Sequence, residues 1–447
     1  MKRVWLFLLS LGLITAFCTS AIAVDVKFSG EFYAAGMYQD KTTLKKDTGS
    51  DGPSTAFYFQ RLRLRTDFSI SPGLTLTTRA DIMERAWGAQ RSIPGTIFDQ
   101  QSAGTTAENE NIAFDLAYVN YASPIGLFMA GYQLHAYWGT VFGNSAAPYP
   151  RLTYALPIGD FQLVLHYTKN NENSRTAKNI TDASDRDSDQ YVATINYNFK
   201  NGSVGLLATY LRQATMRAVV NPQTGFMTNG FALEPYIKAK LGPVSIQAEL
   251  DYAWGQFQKW EGAFPFSVLP DTRLENIAAF LDATANFDTI YIGGTLAYVS
   301  GDDPGTGQKE GTTFLTGGLD WNPCLILFNS DRNYWAGNIP AYDTSGMGAP
   351  MSNAWFFQGR IGVRPIADLD VMASVAYANA DKKPSVSWLY NSYGYEMDLT
   401  ATYKITNNLS YMLGFGYLFT GNYFKGTKDS NQLNNDYLVI NKLTLTF

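Results

Sequence analysis

The feature that most constrains the fold is an alternation of residue type at the end of the chain. From Tyr395 to Tyr403 every second residue is apolar or aromatic, and the residues between them are polar or charged. The same period of two returns in 409–419 and again from Tyr437 to the terminal Phe447. Successive side chains of a strand point to opposite faces, so this pattern predicts β-strands with one apolar face. Strands of this kind, joined alternately by short and long connections, are typical of a transmembrane β-barrel.

Short turns and long loops alternate along the rest of the chain. Tight turns such as Ser71-Pro72-Gly73 use the dihedral preferences of Pro and Gly. Counting these connections predicts an all-β fold, a transmembrane antiparallel barrel of about 18 strands, with 16 or 20 as the alternatives. Short turns then face the periplasm and long loops face the exterior. The least regular segment is 302–353, in which the apolar run Leu325 to Phe328 could form an extra strand.

The N-terminus has the pattern of a secretory signal peptide. Lys2 and Arg3 precede an uncharged apolar run, and Ala21-Ile22-Ala23 matches a cleavage site. We therefore expect a cleaved signal in 1–23 and a single barrel domain in 24–447. No later run of about 18 apolar residues occurs, which excludes a helical membrane protein.

Composition narrows the class of protein further. Aromatic residues make up 15% of the chain and charged residues only 16%, a balance that suits a barrel with aromatic girdles better than a soluble enzyme. The net charge of −5 argues against a nucleic-acid partner. The predicted mature chain keeps one cysteine, Cys324, which excludes an internal disulfide and, by the same count, cysteine-based zinc sites. We predict no metal and no cofactor.

Three short motifs carry a resemblance to a known family. They are Tyr298-Val299-Ser300-Gly301-Asp302-Asp303-Pro304, Trp321-Asn322-Pro323 and the segment 403–411. The chain resembles Gram-negative outer-membrane porins, and these motifs resemble alginate-export-like porins and related outer-membrane channel proteins. The resemblance implies outer-membrane lipid and lipopolysaccharide as surroundings and small hydrophilic solutes as cargo. It also implies a monomer if the chain is like the exporters, and a homotrimer if it is like general porins.

The alternation of apolar and polar residues along each strand also predicts which charged side chains face the lumen. The predicted pore-lining residues are Arg61, Arg63, Arg65, Arg79, Asp81, Asp115, Glu234, Lys238, Glu249, Asp251, Arg360, Arg364, Glu396 and Asp398. Combined with strand direction, the pattern predicts an acidic upper vestibule that includes Glu234, Glu249 and Glu396. Below it we expect arginines at mid-level and a basic floor that includes Lys27, Lys238, Lys240, Arg364, Lys404 and Lys442.

The ladder formed by Arg61, Arg63 and Arg65 is the sharpest of these features. Its cations stand about 7 Å apart along one strand and repel each other unless negative charge lies opposite. One interpretation is an anion-selective constriction. The alternative is a ladder that is neutralised by neighbouring carboxylates, Asp67, Asp81 and Asp115, and that braces the barrel wall.

Two loops are too apolar to stand in water. The first runs from Gln133 to Pro150, and its candidate constriction residues are His135, Tyr137, Trp138 and Phe142. The second is 302–353. Either loop could fold inward and narrow the channel, and the alternative is packing at the rim or at a subunit contact.

No residue pattern points to catalysis. Only two histidines occur, His135 and His166, and no local motif supplies a nucleophile beside a base. We therefore predict a channel for passive diffusion of small hydrophilic solutes, leaning toward anions. The alternatives are an exporter of a polysaccharide or sugar acid, and a barrel that sheaths a redox partner in an electron conduit. A sheath should have a wide lumen without an inward loop.

Overall fold

The computed structural model describes residues 24–46, 52–88, 112–135, 138–173, 185–217, 225–261, 270–311 and 314–447. The predicted signal peptide, 1–23, lies outside the described residues. Among the described residues no helix is long and apolar enough to cross a membrane.

Eighteen long antiparallel strands form one sheet. They are β1 (Asp25–Gln39), β2 (Thr55–Ser71), β3 (Leu74–Ala86), β4 (Ile112–Ser123), β5 (Gly126–His135), β6 (Ala147–Ile158), β7 (Phe161–Asn171), β8 (Ser188–Phe199), β9 (Gly202–Gln213), β10 (Phe226–Leu241), β11 (Val244–Trp260), β12 (Thr272–Phe287), β13 (Ile290–Val299), β16 (Ala354–Ile366), β17 (Leu369–Ala380), β18 (Ser392–Lys404), β19 (Leu409–Thr420) and β20 (Asp436–Thr446). The remaining strands, β14 (Ile339–Pro340) and β15 (Gly346–Met347), pair only with each other.

The sheet closes on itself between its first and last strands. Besides its neighbour β2, β1 pairs with β20 in antiparallel register, with Phe32 opposite Leu445 and Gln39 opposite Leu438. Closure leaves no strand edge with unpaired N–H and C=O groups, which a barrel in lipid requires. The predicted closed barrel of 18 strands is confirmed. The extra strand considered for Leu325 to Phe328 is wrong, because these residues are irregular backbone packed inside the barrel.

The outer face is apolar and carries two aromatic rows. Large side chains such as Phe28 and Phe114 are 61% and 70% exposed on the isolated chain, which is the surface that meets lipid. Outward aromatic rings contact one another across β8 to β11 toward the extracellular end, at Tyr191, Tyr210, Phe231 and Trp254. A second group, at Phe161, Tyr197 and Phe199, lies near the periplasmic turns. Aromatic girdles at both interfaces are the expected anchors of such a barrel.

Most of the buried apolar core lies inside the barrel, where the β13–β16 loop (residues 300–353) packs against the inner wall. This loop contains the chain's one described α-helix, α1 (Ser330–Ala336). The side chain of Asn329 caps the helix by accepting a hydrogen bond from the backbone N–H of Arg332 at 2.7 Å. Short 3₁₀ turns occur at Tyr342–Thr344 and Asn422–Lys425. A loop folded into the lumen therefore supplies the core that a lipid-exposed barrel wall cannot.

Candidate functional site: the lumen and its two inward loops

The β5–β6 loop, described from Trp138 to Ala146, folds into the lumen. The indole N–H of Trp138 donates to the backbone carbonyl of Glu234 at 2.8 Å, and its ring meets Tyr236 edge-on with centroids 5.1 Å apart. The backbone N–H of Thr140 donates to the Glu249 carboxylate at 2.6 Å. Phe142 is fully buried and stacks on Phe280 at 5.1 Å. Trp138 and Phe142 thus lie inside the barrel, whereas Tyr137 lies outside the described residues.

His135 was expected in this loop, and that placement is wrong. It is the last residue of β5 and pairs with Ala147 of β6. The predicted loop extended to Pro150, yet Pro148 and Pro150 both belong to β6. At this end β6 pairs only with β5, so the missing proline N–H groups are tolerated as they are on an edge strand.

The β13–β16 loop is held against the opposite wall by polar and aromatic contacts. The Glu396 carboxylate of β18 accepts hydrogen bonds from the backbone N–H groups of Ile326 and Leu327 at 2.7 and 2.6 Å. Trp335 of α1 stacks on Phe59 of β2 with ring centroids 4.4 Å apart. Both loop candidates therefore fold inward.

The two loops also contact each other. The backbone N–H of Asp320 donates to the carbonyl of Asn144 at 2.9 Å, and the N–H of Leu319 donates to the hydroxyl of Ser145 at 2.9 Å. Trp321 meets Phe142 edge-on at 5.1 Å. We call residues 138–146 and 314–336 together the lumen partition. Two separate spaces inside the barrel border it.

The first space, the ladder cavity, has a volume of about 480 Å³. Its wall includes Arg61, Arg63, Arg79, Trp335 and Lys442. The second, the histidine cavity, has a volume of about 660 Å³, and its wall includes His135, Arg151, His166, Lys238 and Asp251. Both volumes are of the size that accommodates small molecules.

Every arginine of the predicted ladder has a carboxylate partner. Arg63 binds Asp81 through two hydrogen bonds, and Arg65 binds Asp67 in the same bidentate manner. Arg61 donates to Glu84 at 3.3 Å. The other predicted arginines are paired as well, and their partners are Asp115 for Arg79, Asp282 for Arg360 and Asp370 for Arg364. This geometry favours the bracing interpretation of the ladder over an open anion filter.

The lysines of the predicted floor are different. Within the described residues, none of these lysines has a carboxylate oxygen within 4.0 Å of its ammonium nitrogen. The lysines concerned are Lys27, Lys238, Lys240, Lys404 and Lys442. Arg151 is likewise without a carboxylate in that part of the chain. Its guanidinium contacts the hydroxyl of Thr168, the carbonyl of Leu134 and Nδ1 of His135. These side chains therefore carry positive charge without a carboxylate in direct contact, while Glu249 acts on Lys238 and Asp67 acts on Lys27 at longer range.

The predicted acidic vestibule does not stand open to solvent. The carboxylates of Glu249 and Glu396 accept hydrogen bonds from backbone N–H groups of the two loops, so they anchor the lumen partition. Glu249 also lies only five residues after Val244, where β11 begins at its periplasmic end, which corrects its placement in the upper half. Sequence reasoning missed Arg151 and Glu84 because their partners lie on other strands.

A closed barrel with an apolar, aromatic-girdled outer face and a charged lumen defines a Gram-negative outer-membrane protein of the porin fold. No protein-family model matches the chain, and no curated protein matches it. Solved structures do share its fold. Pseudomonas aeruginosa OpdQ has 12% identity and a TM-score of 0.52, covering 95% of this chain and 97% of its own.

Two further solved structures from the same organism also share the fold of this chain. OccK9 (OpdG) has 13% identity and a TM-score of 0.51, with 95% of this chain and 99% of that chain covered. The outer membrane protein OpdK has 10% identity and a TM-score of 0.50, with 94% and 99% covered. The predicted resemblance to outer-membrane porins is confirmed at the level of the fold.

Proposed function

We propose that the protein is a passive outer-membrane channel for small hydrophilic solutes, with a preference for anions. The observation that carries the proposal is the contrast between paired arginines and unpaired lysines in one lumen. Charges that protein partners neutralise contribute little field, whereas unpaired lumenal cations raise the local concentration of anions. Lys238 and Lys442 line the two cavities and are the residues we assign to this role.

The lumen partition sets the size of solute that passes. Solutes would move beside it, through the ladder cavity and the histidine cavity. The same partition weighs against a polysaccharide exporter and against a redox sheath, since both need a wide, unobstructed lumen. A barrel of the same fold, OpdK of Pseudomonas aeruginosa, has been solved with vanillate, a small aromatic carboxylate. That structure supports a small organic anion as cargo.

The oligomeric state is part of the proposal. We infer outer-membrane lipid and lipopolysaccharide as surroundings and a homotrimer as the oligomeric state, as the resemblance to general porins implies. The alternative, which the resemblance to the exporters implies, is a monomer. Native mass spectrometry in detergent tests this inference: a species of three chains supports it, and a single chain contradicts it.

Solute entry into proteoliposomes tests the function. Residues 24–447 would be folded into liposomes, and swelling would be compared for gluconate, glucose and glucosamine, which have similar size and different charge. We expect gluconate to enter fastest and glucosamine slowest. Replacing Lys238 and Lys442 together by Gln should remove this order, while Lys259→Gln, near the extracellular end of β11, should keep it.

Two outcomes would contradict the proposal. Faster entry of glucosamine would overturn the anion preference but keep the channel. Absence of swelling with correctly folded protein would overturn the channel itself and favour the sheath.

A further inference from the structure

Three side chains with metal-binding atoms meet beneath the β13–β16 loop. Cys324 comes from the loop, and Glu396 and Asp398 come from β18, and one ligand atom of each lies within 4.8 Å of the others. All three residues are buried, with exposures of 4%, 0% and 7%. A thiol and two carboxylates are thus enclosed together where a loop docks on the barrel wall.

No basic side chain of the described residues contacts this group directly, while the buried Arg332 acts on Glu396 electrostatically from a greater distance. In the part of the chain that the structure describes, no Lys, Arg or His nitrogen lies within 4.0 Å of either carboxylate. Two buried carboxylates side by side repel each other, and burial of an ionised carboxylate is costly unless a cation or sufficient hydrogen bonds accompany it. Glu396 has its two backbone N–H donors, and Oδ2 of Asp398 accepts a hydrogen bond from the Ser374 hydroxyl at 3.4 Å. Oδ1 of Asp398 is buried without a hydrogen-bond partner among the described residues.

The unpartnered oxygen faces the same small space as Glu396. A Cβ atom placed on Gly416 of β19 would lie 2.7 Å from Oδ1 of Asp398 and 3.2 Å from Oε1 of Glu396. A side chain at Gly416 would therefore enter the space beside the two carboxylates, which the Cβ of Leu325 also borders at 3.0 Å from the same point. Beside it, the Gln358 amide donates to the carbonyl of Pro323 at 2.6 Å, which fixes the backbone next to Cys324.

We propose that Cys324, Glu396 and Asp398 form a binding site for one divalent cation of the zinc class. Zinc accepts thiolate sulfur together with carboxylate oxygen and completes a tetrahedron with water when three protein ligands are present. Calcium and magnesium prefer ligand sets made of oxygen only, so the sulfur selects against them. The prediction that one cysteine excludes cysteine-based zinc sites does not cover a mixed set of this kind, and the proposal departs from the prediction of no metal.

The site would fasten the β13–β16 loop to the wall, because its ligands come from the loop and from β18. A metal that binds only the folded arrangement stabilises it by mass action. The inference concerns how the lumen partition is held and does not depend on the solute preference.

Metal content and cobalt spectroscopy test the site on folded residues 24–447. The barrel would be folded with Zn²⁺ or Co²⁺, freed of excess metal, and assayed by elemental analysis and near-ultraviolet absorption. We expect one metal per chain and a thiolate-to-cobalt charge-transfer band. This segment contains no second cysteine, so the band would come from Cys324.

Variants locate the metal. Cys324→Ser should abolish the charge-transfer band, and Cys324→Ser and Asp398→Asn should each lower affinity at least about tenfold. Asp303→Asn, which changes an acid at the outer part of the same loop, should leave both readouts unchanged. Cys324→Ser preserves size, so it keeps the test decisive if Asp398→Asn does not fold.

Folded wild-type protein without retained metal would overturn the proposal and point to a proton shared by the two carboxyl groups. Equal metal retention by Cys324→Ser would overturn it as well.

Discussion

The guanidinium of Arg63 donates two hydrogen bonds to the carboxylate of Asp81, at 2.7 and 2.6 Å, across the paired strands β2 and β3. The two residues are direct cross-strand neighbours, so the pair ties the strands together on their lumenal side. The bidentate geometry is the strong form of an arginine–carboxylate interaction. An arginine held in this way braces the wall and has little charge to offer a passing anion.

Arg63→Ala should therefore weaken the barrel more than it changes selectivity. The substitution leaves Asp81, a largely buried carboxylate, without its main partner, at a cost of about 1–3 kcal/mol. We expect a lower temperature for loss of the compact band in semi-native electrophoresis and an unchanged order of solute entry. The double variant Arg63→Ala/Asp81→Ala should recover part of the loss. A marked fall in anion preference with unchanged stability would restore the anion-filter interpretation.

Trp138→Ala should widen the channel. The indole fastens the β5–β6 loop to β10 through its hydrogen bond to Glu234 and its contact with Tyr236. Truncating a packed tryptophan costs up to roughly 3–5 kcal/mol of packing, so the loop should be held less firmly while its contacts at Glu249 and Phe280 remain. Single-channel conductance should rise or fluctuate between levels. Trp254→Ala, on the lipid-facing side of β11, is the matched control and should leave conductance unchanged. Identical conductance in both variants would show that the loop does not limit flow.

Trp335→Ala should expose Cys324. Trp335 stacks on Phe59 and holds α1 against β2, while Cys324 is only 4% exposed. Loss of roughly 3–5 kcal/mol of packing should raise the open population of the loop about a hundredfold or more. The measurement is the rate of maleimide labelling in the presence of a chelator. Val386→Ala, at a position that is 91% exposed, serves as the control. Equal labelling rates would contradict a loop that is anchored at Trp335.

The fold could be predicted from the sequence because each strand of a lipid-facing barrel alternates apolar outward residues with polar inward residues. The period of two around Tyr395 and Leu413 identifies the outer face without reference to any other strand. The predicted loop boundary at Pro150 is wrong, because β6 already begins at Ala147 and accommodates Pro148 and Pro150 where it has a partner on one side only.

The contents of the lumen could be predicted only in part. Alternation indicates that Arg61 points inward but does not give its partner. The register of β2 against β3 shifts between Gln60 and Leu62, and Arg61 reaches Glu84 instead of a carboxylate directly opposite. The contact between Asp320 and Asn144 joins loops that are far apart in the chain, and no local pattern encodes it.

The most direct test of the account is the reversal potential of folded residues 24–447 in a planar bilayer under a salt gradient. We predict discrete conductance steps and a reversal potential whose sign corresponds to anion preference, shifted toward zero when Lys238 and Lys442 are replaced by Gln. A reversal potential of the opposite sign, or no conductance from correctly folded protein, would contradict the claim that unpaired lysines in this lumen select the solutes that pass.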